Sequence, residues 1–161
     1  MRPRSRPGPK AAWLALGVGL GYAAVSAYWA VGGTALMGTV GGVFERAGRS
    51  GGAGVELLLW FVVAVKVVAA ALPLVAIRRL RRPLRVLAWI EAATLTGYGL
   101  VLTAVGLLVQ ADVIVASTDA DHRALAWHAY LWDPWFLVWG LLVFAALLCR
   151  PQQRGAGQGW Q

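Results

Sequence analysis

Four stretches of the chain are each long and apolar enough to cross a lipid bilayer, and no other feature narrows its fold so far. They cover about 11–31, 55–77, 86–109 and 130–149 of 161 residues. A spanning helix needs about twenty mainly apolar residues. Inside hydrocarbon no water bonds a peptide N–H or C=O, so each run has to satisfy its own backbone as an α-helix. The period-2 alternation of a barrel strand is absent. The expected fold is therefore all-α, a polytopic transmembrane four-helix bundle over 11–149, with a basic tail at 1–10 and a flexible tail at 150–161. Only 14% of the residues are charged, against about a quarter in soluble domains. "MRPRSRPGPK" has the basic character of a signal-peptide start. The apolar run behind it is about twenty residues, longer than a signal core, and is expected to stay as a span.

Basic residues set the expected orientation. Arg2, Arg4, Arg6 and Lys10 precede the first run, Arg78, Arg79, Arg81, Arg82 and Arg85 fill the link between the second and third, and Arg150 and Arg154 follow the fourth. The other two connections hold only Arg46, Arg49 and Arg123. By the positive-inside rule both termini and the middle link face the cytoplasm. This placement also explains the net charge of +8 without nucleic acid, since the positive charge lies against anionic lipid. The expected location is the inner, or plasma, membrane of a bacterium, and the expected surroundings are the bilayer itself. Trp29, Trp60, Trp127, Trp132 and Trp135 then fall near the outer surface and Trp13 and Trp89 near the inner one, as in an aromatic belt.

One cation does not follow that pattern. In "FVVAVKVVAAA", residues 61–71, Lys66 is the single polar residue. With about 1.5 Å of rise per residue it lies about 16 Å from either surface, a position that costs roughly 2.5–3.5 kcal/mol on insertion scales. Two carboxylates on other spans, Glu91 and Asp133, are each about 8–12 Å away in depth. Helical side chains lean toward their own N-terminus, so Lys66 leans outward and Glu91 inward. The outer pairing, Lys66 with Asp133 directly or through water, is favoured. Glu91, or hydroxyls holding a neutral lysine, are the other partners. Tyr22 and Ser26 on the first span and Tyr28 beyond them are near enough in depth. On the third span Glu91, Thr94 and Tyr98 recur at i, i+3 and i+7, one face that is expected to turn into the bundle. These groups sketch a polar pocket that opens outward, or a set of interhelical hydrogen bonds that only joins the spans. Gly17 and Gly21 form a small-xxx-small pair, a signal for close packing of the first span.

The second unusual stretch is "HAYLWDPWFLVWG", 128–140. Asp133-Pro134 reads as N-cap and first residue of the fourth helix. A short interfacial helix is expected before it, after the polar turn at Ser117–Asp121. In the glycine-rich loop 32–54 one helical turn is expected at "VFERA". At these residues the chain resembles a family of small four-helix bacterial membrane proteins, domain of unknown function 3995. The likeness rests on "SAYWAVGGT", "VVAVKVV" and "WHAYLWDPWFLVWGLL" and spans about 13–148. It implies that Tyr28, Trp29, Gly32, Gly33, Lys66, His128, Trp132, Asp133, Pro134 and Trp135 occupy the family's pattern positions. It implies fold and location but no chemistry.

Chemical signatures are few. With one cysteine, Cys149, no internal disulfide or cysteine-pair redox chemistry can form. Asp119, Asp121, His122, His128 and Asp133 gather around one loop but not at metal-ligand spacing, so no metal is expected. No phosphate loop, dinucleotide fingerprint or nucleophile–base pair is present, and no cofactor is expected. Two readings remain. In one, the bundle binds a small lipid-like ligand or a membrane protein partner at the polar site. In the other, it is a membrane-embedded enzyme acting on a lipid or isoprenoid, with Lys66 beside Asp133 or His128. The orientation is directly testable. A fluorescent protein fused to the C-terminal end should fluoresce in the cytoplasm and a phosphatase fused there should stay inactive; an active phosphatase reverses the assignment.

Overall fold

The computed structural model describes residues 7–42, 45–46, 51–79, 81–117 and 121–149. Of the expected basic tail at 1–10, residues 1–6 lie outside these residues and 7–10 belong to the first helix; the tail at 150–161, Arg49 and Asp119 also lie outside them. The described residues are helical, without strands, and four helices are long and apolar enough to cross a membrane. They are α1 (Pro7–Ala30), α2 (Ala53–Arg79), α3 (Arg82–Gln110) and α4 (His122–Leu148). In the loop after α1, Met37–Thr39 form a single 3-10 turn. At the expected "VFERA" turn only Glu45 and Arg46 are described. Both are helical, with Glu45 N–H donating to Gly41 C=O at 3.3 Å.

Packing follows from where small residues recur. On α1, Ala12, Ala15, Gly19, Ala23, Ser26 and Ala30 are buried at helical spacing, a stripe three and four residues apart that lies on one face. Gly19 takes the closest approach: a methyl group there would collide with Ala70 of α2 and the Trp139 ring of α4. The pair expected from the sequence differs from this, since Gly17 faces open space and only Gly21 meets a neighbour, Trp135. Alternate glycines on a helix point to different faces, and α1 turns the 12–15–19 face inward.

On α3 the inward stripe is Ala88, Ala92, Thr96, Gly99, Thr103 and Gly106, with Ala88, Ala92 and Gly99 buried. A side chain at Gly99 would strike the Leu137 backbone, and one at Gly106 would strike Ala129. Of the Glu91–Thr94–Tyr98 face expected to point into the bundle, only Glu91 is therefore partly turned inward. Thr94 and Tyr98 are exposed and Glu91 is half-buried. Close approach of α3 to α4 requires small residues, and these lie on the neighbouring face. The result is a bundle in which α1 and α4 form the more buried pair. α2 packs mainly on α1, and α3 on α4.

The fourth helix starts eleven residues earlier than Asp133. Asp121 is its N-cap, its carboxylate accepting from Arg123 N–H at 3.0 Å and Ala124 N–H at 3.1 Å. The expected separate interfacial helix is thus the first part of α4, His122–Trp127. His128–Trp132 continue as a π-helix, and Asp133–Leu148 as α-helix. Asp133 is not a cap, because its N–H donates to His128 C=O five residues back. A proline inside a helix lacks the N–H that the carbonyl four residues earlier would accept, and its ring crowds that carbonyl. Widening the turn just before Pro134 lets the helix pass through it instead of beginning there.

Gly99→Ala is expected to lower the thermal stability of the detergent-solubilised bundle by about 1–3 kcal/mol, the usual cost of overpacking. Gly97→Ala, where a methyl group meets nothing within 4 Å, should leave stability unchanged or raise it. Equal effects of the two would contradict the α3–α4 packing.

Candidate functional site

The ammonium of Lys66 meets α1. Its Nζ donates to Ser26 Oγ at 2.7 Å and sits 3.7 Å from the centre of the Tyr22 ring. Helix geometry makes this contact: Tyr22 and Ser26 are four residues apart on α1, one turn above each other on the same face. Ser26 is fully buried and Lys66 half-buried. An aromatic face attracts a desolvated cation by about 2 kcal/mol, and a hydrogen bond to a charged group is worth about 1.5–3 kcal/mol in soluble proteins. Together they are of the size needed to offset the burial. The carboxylate pairing favoured on sequence grounds is not formed: among the described residues no ion pair joins Lys66 to Asp133 or Glu91. Asp133 bonds His128 instead. The carboxylate oxygens of Glu91 are buried and meet no hydrogen-bond partner among the described residues.

Tyr22 is held in place by α4. Its ring lies 5.8 Å from Trp132, 5.4 Å from Trp135 and 4.8 Å from Phe136, the last edge-on. Trp132 and Trp135 are stacked, with centroids 6.4 Å apart, and the edge of Phe136 also meets Tyr98 at 5.3 Å. Aromatic pairs at 4.5–7 Å are stabilising beyond their buried area. A ring fixed on several sides loses little freedom by receiving the ammonium.

The W-D-P-W stretch assigns a separate contact to each residue. Trp132 Nε1–H donates to Thr39 Oγ1 at 3.1 Å, and Trp135 Nε1–H donates to Val18 C=O on α1 at 3.1 Å. Pro134 accompanies the π-helix. Asp133 Oδ1 is 3.2 Å from His128 Nδ1, while His128 Nε2 is 3.1 Å from Val40 C=O. A carbonyl oxygen only accepts, so in the contact with Val40 it is Nε2–H that donates. Neither ring nitrogen is directed at open space, and the imidazole is engaged as a structural bridge.

These contacts form a clasp on the 31–41 loop. α1 ends with Gly32 at φ 90°. Gly33 N–H reaches Tyr28 C=O at 2.9 Å and Gly32 N–H reaches Trp29 C=O at 3.0 Å, the paired bonds of a Schellman termination. Gly33 also has the Tyr28 ring folded against it where a side chain would clash. The chain then turns back, Trp29 Nε1–H donating to Ala35 C=O at 2.8 Å and Tyr28 Oη accepting from Ala35 N–H at 3.4 Å. Thr39, buried, donates its hydroxyl to Leu36 C=O at 2.6 Å while accepting from Trp132. Thus Tyr28 and Trp29 hold one side of the loop, and His128 and Trp132 the other. Sequence reasoning missed Thr39, Val40, Val18 and Phe136. For Thr39 and Val18 the need of a buried indole N–H for an acceptor is the one available signal; Val40 and Phe136 have none.

Of the remaining candidates, Thr94 is exposed and Tyr98 half-exposed beside Phe136. Among the described residues no three His, Cys, Asp or Glu converge on a metal-sized site.

The profile of a family described as "Protein of unknown function (DUF3995)" matches residues 19–143. The chain belongs to this family. No curated protein and no solved structure matches it. The matched segment contains the Lys66 contact, the clasp and the π-helix.

His128→Ala and Thr39→Val should each speed amide exchange of residues 36–40, each removing a bond worth about 1 kcal/mol, or roughly fivefold in opening. Exchange unchanged in both variants would contradict the clasp.

Proposed function

We propose that this DUF3995 member is a multi-pass protein of the inner membrane, both termini cytoplasmic, that binds a small lipid-like ligand at an outward-facing polar site around Lys66. One observation carries the reading. A primary ammonium in the middle of a span-length apolar helix is met by a hydroxyl at 2.7 Å and an aromatic face at 3.7 Å, with no carboxylate beside it among the described residues. Intramembrane ionisable groups are costly and commonly mark binding or transfer sites. The basic residues at the α2–α3 link support the orientation, which puts the clasped loop on the outer side. A protein partner would dock on the same end of the bundle, over the clasp.

The enzyme alternative, with Lys66 acting on a lipid or isoprenoid beside Asp133 or His128, has less support. Asp133 and His128 bond each other, and the second nitrogen of His128 faces a backbone carbonyl. A general base must reach the proton it removes, and both nitrogens of His128 and Oδ1 of Asp133 are already engaged within the protein.

Native mass spectrometry of purified protein tests the binding role. Wild type should retain co-purified lipid. Lys66→Met should retain at least fivefold less while its circular dichroism stays helical. Equal retention by a folded Lys66→Met protein would remove Lys66 from the site.

A further inference from the structure

We infer that the ligand taken at Lys66 carries an anionic head, a carboxylate or phosphate on an apolar chain, and that it enters along the seam between α1 and α2. This inference rests on the binding role proposed above and specifies its chemistry.

The first ground is charge. An ammonium has three N–H donors, and Ser26 accepts one of them. Tyr22 offers its ring face rather than a formal charge. The two acidic side chains of the other spans are placed elsewhere: Asp133 on His128, and Glu91 with its oxygens buried and apart from Lys66. The positive charge is therefore uncompensated by any carboxylate among the described residues. Two unused donors, with the Ser26 hydroxyl beside them, match an acceptor group that has several lone pairs and a negative charge.

The second ground is space. A cavity of about 320 Å³ opens at the loop-bearing end of the α1–α2 seam, walled by Trp29, Ala30, Val55, Glu56 and Leu59. Ala30 lies one turn beyond Ser26 on the same face of α1. On α2, Val55, Leu59 and Lys66 recur at i, i+4 and i+11, again one face. The cavity lies on the same α1–α2 seam as the Lys66–Ser26 contact, and its lining ends at Ala30 and Leu59, about 10 Å along α2 from the lysine. Its volume lies at the lower bound of small-molecule sites, enough for part of the apolar chain of a ligand whose head is at the lysine. Gly32, Gly51 and Gly52 at the mouth carry no side chains to narrow it. Glu56 at the rim is exposed and repels a free anion lingering there, so the charge is favoured deeper, at the lysine.

The test uses the full chain in a non-ionic detergent, with binding read by native mass spectrometry. Oleate, oleoyl-lysophosphatidate and oleyl alcohol are the probes, sharing one chain and differing in the head. At least one anion should bind tenfold or more tighter than the alcohol, and which one does so distinguishes a fatty acid from a phospholipid source. Lys66→Met should abolish that preference and Lys66→Arg should keep most of it. Leu59→Trp, which fills the cavity without touching the lysine, should weaken binding of the preferred anion at least fivefold and serves if Lys66→Met does not fold. Arg81→Gln with Arg82→Gln, at the opposite end, should change nothing. If the alcohol binds as tightly as the anions and still needs Lys66, the anionic class is wrong and the binding role stands. If the preference survives in Lys66→Met, or disappears in the arginine variant, the head lies elsewhere. If no probe binds, both the inference and the role fall.

Discussion

The contact between Lys66 and the Tyr22–Ser26 face of α1 is the constraint around which the bundle is arranged. A lysine in the middle of an apolar helix can be stabilised by lipid headgroups only if it reaches a surface, and at that depth it does not. It has to be met from a neighbouring helix, so α2 must present one particular face to α1. The buried stripe of small residues on α1 brings the two helices close enough, and Gly19 against Ala70 marks the nearest passage. Ser26 supplies an oxygen and Tyr22 a negative ring face. Neither carries a charge, so the ammonium is accommodated without being neutralised. A hydroxyl and a ring leave its charge without a carboxylate partner among the described residues.

The aromatic cluster on α4 follows from that arrangement. Tyr22 can receive a cation only if its ring stays put, and Trp132, Trp135 and Phe136 hold it. They also tie α4 outward, Trp135 to the α1 backbone and Trp132 to the loop. The π-helix serves both purposes. A regular helix could not pass Pro134 without losing a bond and distorting its preceding turn, and along the wider turn His128 meets Asp133 while His128 and Trp132 reach the loop. Gly41, at φ 67°, lies so close to Ala124 that a side chain there would collide, so the loop and α4 are fitted to each other along several residues. The 31–41 loop therefore stands as a fastened cover beside the mouth of the α1–α2 seam.

Much of this is legible in the residues alone. The four apolar runs and Lys66 as the unusual residue follow from local composition, and the family from its resemblance at the W-D-P-W and Lys66 stretches. Side-chain lean on α2 points toward the end of the bundle where Ser26 lies. Long-range choice is what local composition lacks. Asp133 and Ser26 both lie in the favoured direction, and only packing decides which helix comes nearest. Asp133 is engaged by His128, five residues away on the same helix, a spacing that an ordinary α-turn would not bring together and a π-turn does. On α3, polarity points to the wrong face. In a membrane bundle the closeness permitted by Ala88, Ala92 and Gly99 decides what turns inward, and Thr94 and Tyr98 are left outside. The loop partners Thr39 and Val40 have no local signature, since their roles exist only once α4 is in place.

The most direct test of the Lys66 assignment is a pair of double-mutant cycles read by thermal or denaturant unfolding in detergent. Combining Lys66→Met with Ser26→Ala should show a coupling of about 1 kcal/mol or more, while combining Lys66→Met with Asp133→Asn should be additive within about 0.5 kcal/mol. Additivity in the first cycle with strong coupling in the second would show that the aspartate answers the lysine after all, and that the α1–α2 contact is not what organises the bundle.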